Sequence, residues 1–196
     1  MDKLDWAPLG AIVAGFLLTV WPPLAKYLSK KLKVISNYFI KNLEIRSQVE
    51  KKVGEIRVLT QALRVTILEF SNSEETVAGL PFEYLTATYE STDANIVPVS
   101  SQLKKIPVSQ YASFLLAIDK ANAIRITCED AEDTMKYSMQ SQGTEVLYAF
   151  KLGKQLKNGC ILLAFGQKDF VLTHQEEKFI ELQCWEIANL MQKLRR

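Results

Sequence analysis

The chain opens on a long uncharged stretch. No charged side chain occurs between Trp6 and Ala25, and the middle of this stretch reads LGAIVAGFLLTVW. An apolar run of about 20 residues is long enough to cross a bilayer as one helix. Trp6 and Trp21 lie near its two ends, where aromatic residues mark membrane interfaces. We therefore predict a membrane anchor over residues 1–25, with residues 6–25 in contact with the lipid bilayer.

Basic residues follow the stretch at once. Between this stretch and the next acid, Glu44, there are five lysines: Lys26, Lys30, Lys31, Lys33 and Lys41. Lysines beside a span predict the cytoplasmic side, and near the surface they attract anionic headgroups. We predict a single-pass protein with a cytoplasmic C-terminal domain. An interfacial anchor and a buried core helix stay open as alternatives. A signal peptide is disfavoured by two acids within the first five residues.

Residues 26–63 carry apolar side chains at helical spacing. The stripe comprises Leu28, Leu32, Ile35, Phe39, Val49, Val53, Ile56 and Leu63. Steps of three and four residues predict an amphipathic helix, here a basic juxtamembrane stalk. Because a lone helix cannot bury its own stripe, the stalk either pairs with a second copy, giving a homo-oligomer, or packs its later half on its own globular domain. The pattern allows both.

Residues 64–196 alternate between strand and helix patterns. Strands are predicted at 64–70, 82–92, 123–128, 145–151 and 160–165, and helices at 107–120, at 130–142 and from Thr173 onward. Asn158-Gly159 predicts a hairpin between the last two strands. Thr173 and Glu176 have the spacing of a capping box. The expected fold class is α+β: an antiparallel sheet of about five strands flanked by helices, forming one domain over 64–196.

Composition narrows the function classes. Of 196 residues, 48% are hydrophobic and 23% charged, so a core can be buried. The net charge is only +2, whereas a dedicated nucleic-acid-binding protein usually has a strongly basic face. No nucleic-acid partner is expected. The three cysteines lack C-x-x-C spacing, which argues against a disulfide framework or a zinc site.

No catalytic constellation is recognisable. His174 is the only histidine and occupies the second position of the capping box, where we expect it to be exposed. The acids Glu129, Asp130, Glu132 and Asp133 lack a calcium-loop pattern. A solvated helix start explains them better, since acids favour a first turn. We predict a non-enzymatic protein with no catalytic residue, no metal site and no cofactor.

One loop and several aromatic residues are candidates for binding. Asn72 can bond its own backbone, Gly79 permits a positive φ and Pro81 directs the exit from the loop. The candidates for a ligand pocket or a partner-binding loop are Phe70, Asn72, Gly79, Pro81, Phe82, Tyr84, Tyr89 and Tyr148. The alternatives are a structural turn and ordinary core aromatics.

The C-terminal third resembles the closing half of a GAF domain. The resemblance rests on GTEVLYAF (143–150), KNGCILLAF (157–165), LTHQEEKF (172–179) and IANL (187–190). It extends over residues 50–196 and is specific in the last fifty. It implies a GAF-like fold with a binding pocket between the sheet and its helices, but it implies no particular ligand. A bilin would also require a cysteine in a suitable context, which neither Cys128 nor Cys160 has.

A second resemblance concerns the overall plan. The motifs EFSN (69–72), AGLPF (78–82) and TYE (88–90) are similar to small membrane-anchored phage and bacterial proteins. One span, a polar helix and a compact α/β domain resemble the T-even phage holin. The holin's large domain is periplasmic, whereas the lysines here favour the cytoplasm.

Three functions follow as hypotheses. The first is a membrane-anchored GAF-like signalling module that binds a small ligand or a protein partner. The second is a holin-like lysis protein that forms membrane oligomers. The third is a structural subunit of a membrane or virion assembly. The side of the membrane on which the domain lies distinguishes the first from the second.

Overall fold

The computed structural model describes residues 21–71, 83–154 and 159–194. The chain divides into two compact units, of which the second comprises Ile45–Arg196. The predicted span at 6–25 lies almost entirely outside the described residues, as does Trp6. Among the helices of the described part, none combines the length and apolar character that crossing a membrane requires.

Four α-helices, one 3₁₀ helix and six strands make up the described residues. The α-helices are α1 (Trp21–Thr60), α2 (Ala112–Ala121), α3 (Asp133–Ser141) and α4 (His174–Leu194), and the 3₁₀ helix is Val108–Tyr111. The strands are β1 (Arg64–Ser71), β2 (Tyr84–Thr92), β3 (Ile106–Pro107), β4 (Ala123–Thr127), β5 (Val146–Lys151) and β6 (Cys160–Phe165).

The strands form one antiparallel sheet in the order β3-β2-β1-β6-β5-β4. The predicted α+β class with an antiparallel sheet is confirmed. The expected number of strands was one too low because β3 has only two residues, too few to show alternation. The helix predicted from Pro107 also begins later: a 3₁₀ turn occupies Val108–Tyr111 before α2 starts at Ala112.

The sheet separates two apolar cores. On β1, Val65 and Ile67 pack with α1 and α4, whereas Leu68 packs with α2 and α3 on the opposite face. Successive side chains of a strand point to opposite faces, so every central strand contributes to both cores. A register shift between Ile67 and Leu68 leaves Thr88 of β2 without a partner in the ladder, as in a β-bulge.

The later half of α1 belongs to the globular unit. Val49, Val53 and Ile56 are buried in the core that α1 shares with α4, and Ile45 is buried as well. This supports the second alternative for the stalk, at least for this half. The apolar stripe of a helix is stabilised by burial against a neighbouring element, here the sheet and α4.

Three local predictions are confirmed. The backbone N–H of Thr173 donates to Glu176 Oε2 (2.7 Å), and the N–H of Glu176 donates to Thr173 Oγ1 (3.3 Å), which is a complete capping box. His174 is exposed at the start of α4, as expected. Strands β5 and β6 form the predicted antiparallel pair, although Asn158 of the turn lies outside the described residues.

Candidate functional site

A cavity of about 70 Å³ lies between the sheet and helices α2 and α3. Strands β1, β2, β5 and β6 form its floor, and the connection between β2 and β3 closes one side. Twelve apolar or aromatic side chains line it: Leu68, Leu85, Val99, Leu103, Ile106, Tyr111, Phe114, Met135, Met139, Leu147, Leu162 and Ala164. The small side chain of Ala164 leaves space above the centre of the sheet.

Five polar side chains complete the lining: Arg64, Thr66, Ser138, Gln142 and Thr144. They are neighbours. Arg64 and Thr66 are two positions apart on the same face of β1, and Arg64 Nη1 donates to Gln142 Oε1 (2.7 Å). Gln142 Nε2 in turn donates to Ser138 Oγ (3.1 Å). The cavity is therefore apolar over most of its surface and polar on one side.

Arg64 is paired with a carboxylate beneath the cavity. Its Nε lies 3.1 Å from Glu90 Oε1, and the two side chains are 6% and 5% exposed. Burial lowers the pKa of the Arg64 guanidinium, and the nearby Glu90 carboxylate partly offsets this. Arginine keeps its proton in proteins, so the pair is ionic and its net charge is zero.

The same pair holds the connection between β2 and β3. The backbone N–H groups of Val99 and Ser100 donate to the Glu90 carboxylate (3.0 and 2.8 Å), and Arg64 Nη2 donates to the carbonyl of Val97 (3.1 Å). Charge-assisted hydrogen bonds of this kind are stronger than neutral ones. They fix the segment that supplies Val99 and Leu103 to the cavity wall.

A second, more open cleft adjoins the cavity. It measures about 210 Å³ and lies among the 3₁₀ helix, α2, β4 and the segment before α3. Tyr111, Phe114 and Met135 line both spaces and so form the partition between them.

The cysteines do not contribute to the cavity lining. All three are buried free thiols. Burial raises the pKa of the Cys160 thiol to about 12, and it also raises that of Cys184. A thiol held in its neutral form is a poor nucleophile, so neither has the character of a covalent attachment site.

The described aromatic candidates lie elsewhere. Tyr148 packs in the core on the α1/α4 face, where the backbone N–H of Leu172 donates to its hydroxyl (3.1 Å). Tyr89 is on that face too. Phe70 packs at the margin of the α2/α3 core, and Tyr84 is half-buried where β2 meets β3. None of the four lines the cavity, and their role in binding a partner stays a prediction.

The remaining candidates can be located only in part. Asn72, Gly79, Pro81 and Phe82 lie outside the described residues, and of Trp21 only its place at the start of α1 is described. The five lysines of the stalk are exposed on α1: Lys26, Lys30, Lys31, Lys33 and Lys41.

The acidic segment before α3 is solvated. Glu129 forms an exposed ion pair with Lys168 (2.5 Å), and Asp133 lies in the first turn of α3. Within residues 21–71, 83–154 and 159–194, no group of three or more possible ligands is placed to hold a metal ion.

Several residues of the cavity were not foreseen. The segment 99–106 has no periodic pattern, and nothing in the sequence links Arg64 with Glu90, 26 positions later. The one available signal was the charge itself: Arg64 is followed by four uncharged residues in its strand, and Glu90 is the only charged residue of β2. A charged side chain in a buried strand requires a partner that neutralises it.

Comparisons with known proteins show likeness in structure only. No family profile and no curated protein sequence matches the chain. Among solved structures, the blue-light-absorbing form of the PixJ GAF domain of Thermosynechococcus elongatus superposes with a TM-score of 0.61 at 12% identity, over 79% of this chain and 89% of that one.

Two further structures give the same result. The phycoerythrobilin-bound GAF domain of a cyanobacterial phytochrome has a TM-score of 0.60 at 12% identity, covering 85% of this chain and 95% of its own. A far-red cyanobacteriochrome photoreceptor has a TM-score of 0.59 at 10% identity, covering 88% and 100%. Likeness to the phage holin is not shown by these comparisons. The chain has a GAF-like fold.

Proposed function

We propose that this chain is a non-enzymatic, ligand-binding GAF-like module whose ligand occupies the cavity between the sheet and helices α2 and α3. The observation that carries the proposal is the lining of that cavity, in which a mostly apolar wall is combined with a small polar group around Arg64. Binding sites for small molecules are concave and mainly apolar, with a few polar groups that orient the ligand.

The cavity walls favour a site that adapts. Met135 and Met139 both line the space, and methionine side chains adjust to irregular shapes at low cost. An empty apolar space lowers the stability of a core, so a protein that retains one gains by filling it. The described lining residues include no carboxylate, histidine or cysteine, which supports binding over catalysis.

The ligand that we propose is small. A cavity of about 150 Å³ in a protein core admits benzene, and the cavity here has about half that volume. The structures compared above include a bilin-bound domain, but a tetrapyrrole is many times larger than this space. The proposed role is recognition of a compact molecule.

A compound screen with two matched variants tests the proposal. The melting temperature of the chain is measured with a library of uncharged and charged fragments of about three or four heavy atoms. Ala164→Leu fills the cavity, whereas Ala117→Leu changes an exposed position of α2. We expect some fragments to stabilise the wild type and the Ala117→Leu variant but not the Ala164→Leu variant. Stabilisation of all three alike would place binding elsewhere and overturn the proposal.

We propose further that the module is held at a membrane by residues 6–25, with its domain on the cytoplasmic side. The support comes from the uncharged stretch in the sequence and from the lysines that follow it. A cysteine introduced at an exposed position such as Ser101 would report the topology, since the three native thiols are buried. Labelling of intact cells by an impermeant maleimide would contradict the cytoplasmic side and favour the holin hypothesis.

Self-association through the first half of α1 is part of the same proposal. Ile35, Phe39 and Leu43 fall at steps of four residues and are 56%, 61% and 49% exposed. Such a stripe is buried when two helices pair. Replacing Phe39 with glutamate should convert a dimer to a monomer in analytical ultracentrifugation; a chain that is monomeric without the substitution contradicts pairing.

A further inference from the structure

The donor groups on the polar side of the cavity outnumber the protein groups that accept from them. Arg64 has five N–H donors. One is given to Gln142 and one to Val97, and the Nε–H, although close to Glu90, has no hydrogen-bond partner within the described residues. The hydroxyls of Thr66 and Thr144 are further donors on this side, since both residues are buried and line the cavity.

The charge on this side is already balanced. Glu90 neutralises Arg64, and its carboxylate also accepts from Val99 and Ser100. An anionic ligand would add a buried charge without a counter-ion, and a cationic ligand would find no free carboxylate. Burying either charged ligand in the cavity would therefore cost desolvation free energy. A neutral acceptor, by contrast, can take a hydrogen bond from the threonine hydroxyls or the guanidinium without disturbing the pair.

Building on the ligand-binding role proposed above, we infer that the cavity selects a compact, uncharged, branched or cyclic apolar molecule that carries one hydrogen-bond acceptor, such as a ketone or ester carbonyl, bound by Thr66, Thr144 and Arg64. The apolar wall takes the body of the molecule, and the polar side orients its oxygen. Selection is then by charge as well as by size.

Four probes with one skeleton test this selection. They are the ketone propan-2-one, the carboxylate acetate, the amine propan-2-amine and the hydrocarbon 2-methylpropene, each with four heavy atoms, which suits a cavity of about 70 Å³. Each is titrated into the full-length chain while the methionine methyl resonances are followed by NMR. Met135 and Met139 line the cavity, whereas Met191 is buried in the opposite core and serves as the internal control.

We expect the ketone to shift the Met135 and Met139 methyls but not that of Met191, with an affinity at least tenfold above that of the carboxylate or the amine. Thr66→Val and Thr144→Val keep the shape of the side chain and remove the hydroxyl, so each should lower the affinity for the ketone about fivefold and leave the hydrocarbon unaffected. Thr88→Val, at an exposed position of β2, should change neither.

The outcomes distinguish a wrong ligand class from a wrong ligand-binding proposal. The inferred ligand class is wrong if the carboxylate or the amine binds more tightly than the ketone. It is also wrong if the ketone and the hydrocarbon bind equally well, both in the wild type and in Thr66→Val. In either case the cavity remains a binding site. If no probe shifts Met135 or Met139, and no fragment of the earlier screen depends on Ala164, the ligand-binding proposal itself is wrong.

Discussion

Arg64 Nε and Glu90 Oε1 lie 3.1 Å apart on neighbouring strands, and both side chains are almost fully buried. The pair has two roles: Arg64 is part of the polar side of the cavity, and the two side chains together fix Val97, Val99 and Ser100 at its edge. Local stability and the shape of the cavity therefore depend on one electrostatic contact.

Glu90→Gln should be strongly destabilising. It leaves the guanidinium of Arg64 buried without a counter-charge, for which a loss of about 3–5 kcal/mol in unfolding free energy is typical. Glu129→Gln, which breaks the exposed pair with Lys168, is the matched control and should leave stability essentially unchanged. Denaturant unfolding measures both. In hydrogen exchange, the amides of Val99 and Ser100 should lose protection in Glu90→Gln. Equal unfolding free energies and equal amide protection in Glu90→Gln and Glu129→Gln would contradict this account.

Gly159→Ala should also lower the free energy of unfolding, because the backbone at this position leaves no space for a Cβ atom. Gly159 has φ +104°, and an added Cβ would lie 2.2 Å from the carbonyl oxygen of Leu68. The strand β1 or the turn before β6 would have to move, so we expect a loss of about 3 kcal/mol, at the upper end for backbone strain. Gly143→Ala is the control, because Gly143 also has a positive φ (+63°) but open space around it. Its cost should be only about 1 kcal/mol. Equal losses would show that the contact with Leu68 is relieved cheaply.

The contrast between these glycines shows what a sequence can and cannot predict. The β-branched run after Arg64 and the Thr173/Glu176 capping box predicted β1 and α4 because their signals are local. The Asn-Gly pair predicted the β5–β6 turn for the same reason. Three other features depend on residues far apart in the chain. They are the close approach of Gly159 to Leu68, the two-residue strand β3 and the pairing of Arg64 with Glu90. No periodic pattern reports such contacts, and the cavity they enclose was therefore predicted as a pocket but not by its residues.

Stability should fall at alkaline pH through the buried thiols. Burial raises the pKa of Cys160 to about 12 from an ordinary value of 9.0, whereas the same thiol in the unfolded chain ionises from about pH 9. The unfolded state then binds fewer protons than the native state, so stability decreases as the pH rises above 9 and is unaffected below it. The expected slope is about 1.4 kcal/mol per pH unit up to about pH 12 for this thiol. Unfolding free energies of the wild type and Cys160→Ala, measured from pH 8 to 11, should diverge in slope; parallel curves would contradict a buried, neutral thiol.

The lysines of the stalk should strengthen the membrane binding of residues 6–25 where the lipid is anionic. Each lysine near a surface contributes about 1 kcal/mol. Replacing Lys26, Lys30, Lys31, Lys33 and Lys41 with glutamine should therefore reduce co-sedimentation with vesicles that contain anionic lipid, and reduce it much less with neutral vesicles. The control carries the same charge change at exposed lysines of the second unit: Lys104, Lys105, Lys120, Lys154 and Lys193. If both sets have the same effect, net charge alone explains the binding.

The most direct measurement of the central claim is a crystal structure of the chain soaked with the fragment that raises its melting temperature most. The account predicts density for the fragment inside the cavity, in contact with Met139 and Leu147 and with a polar atom beside Thr66 or Arg64. Density in the adjoining cleft alone, on the α1/α4 face, or nowhere in the molecule would contradict it.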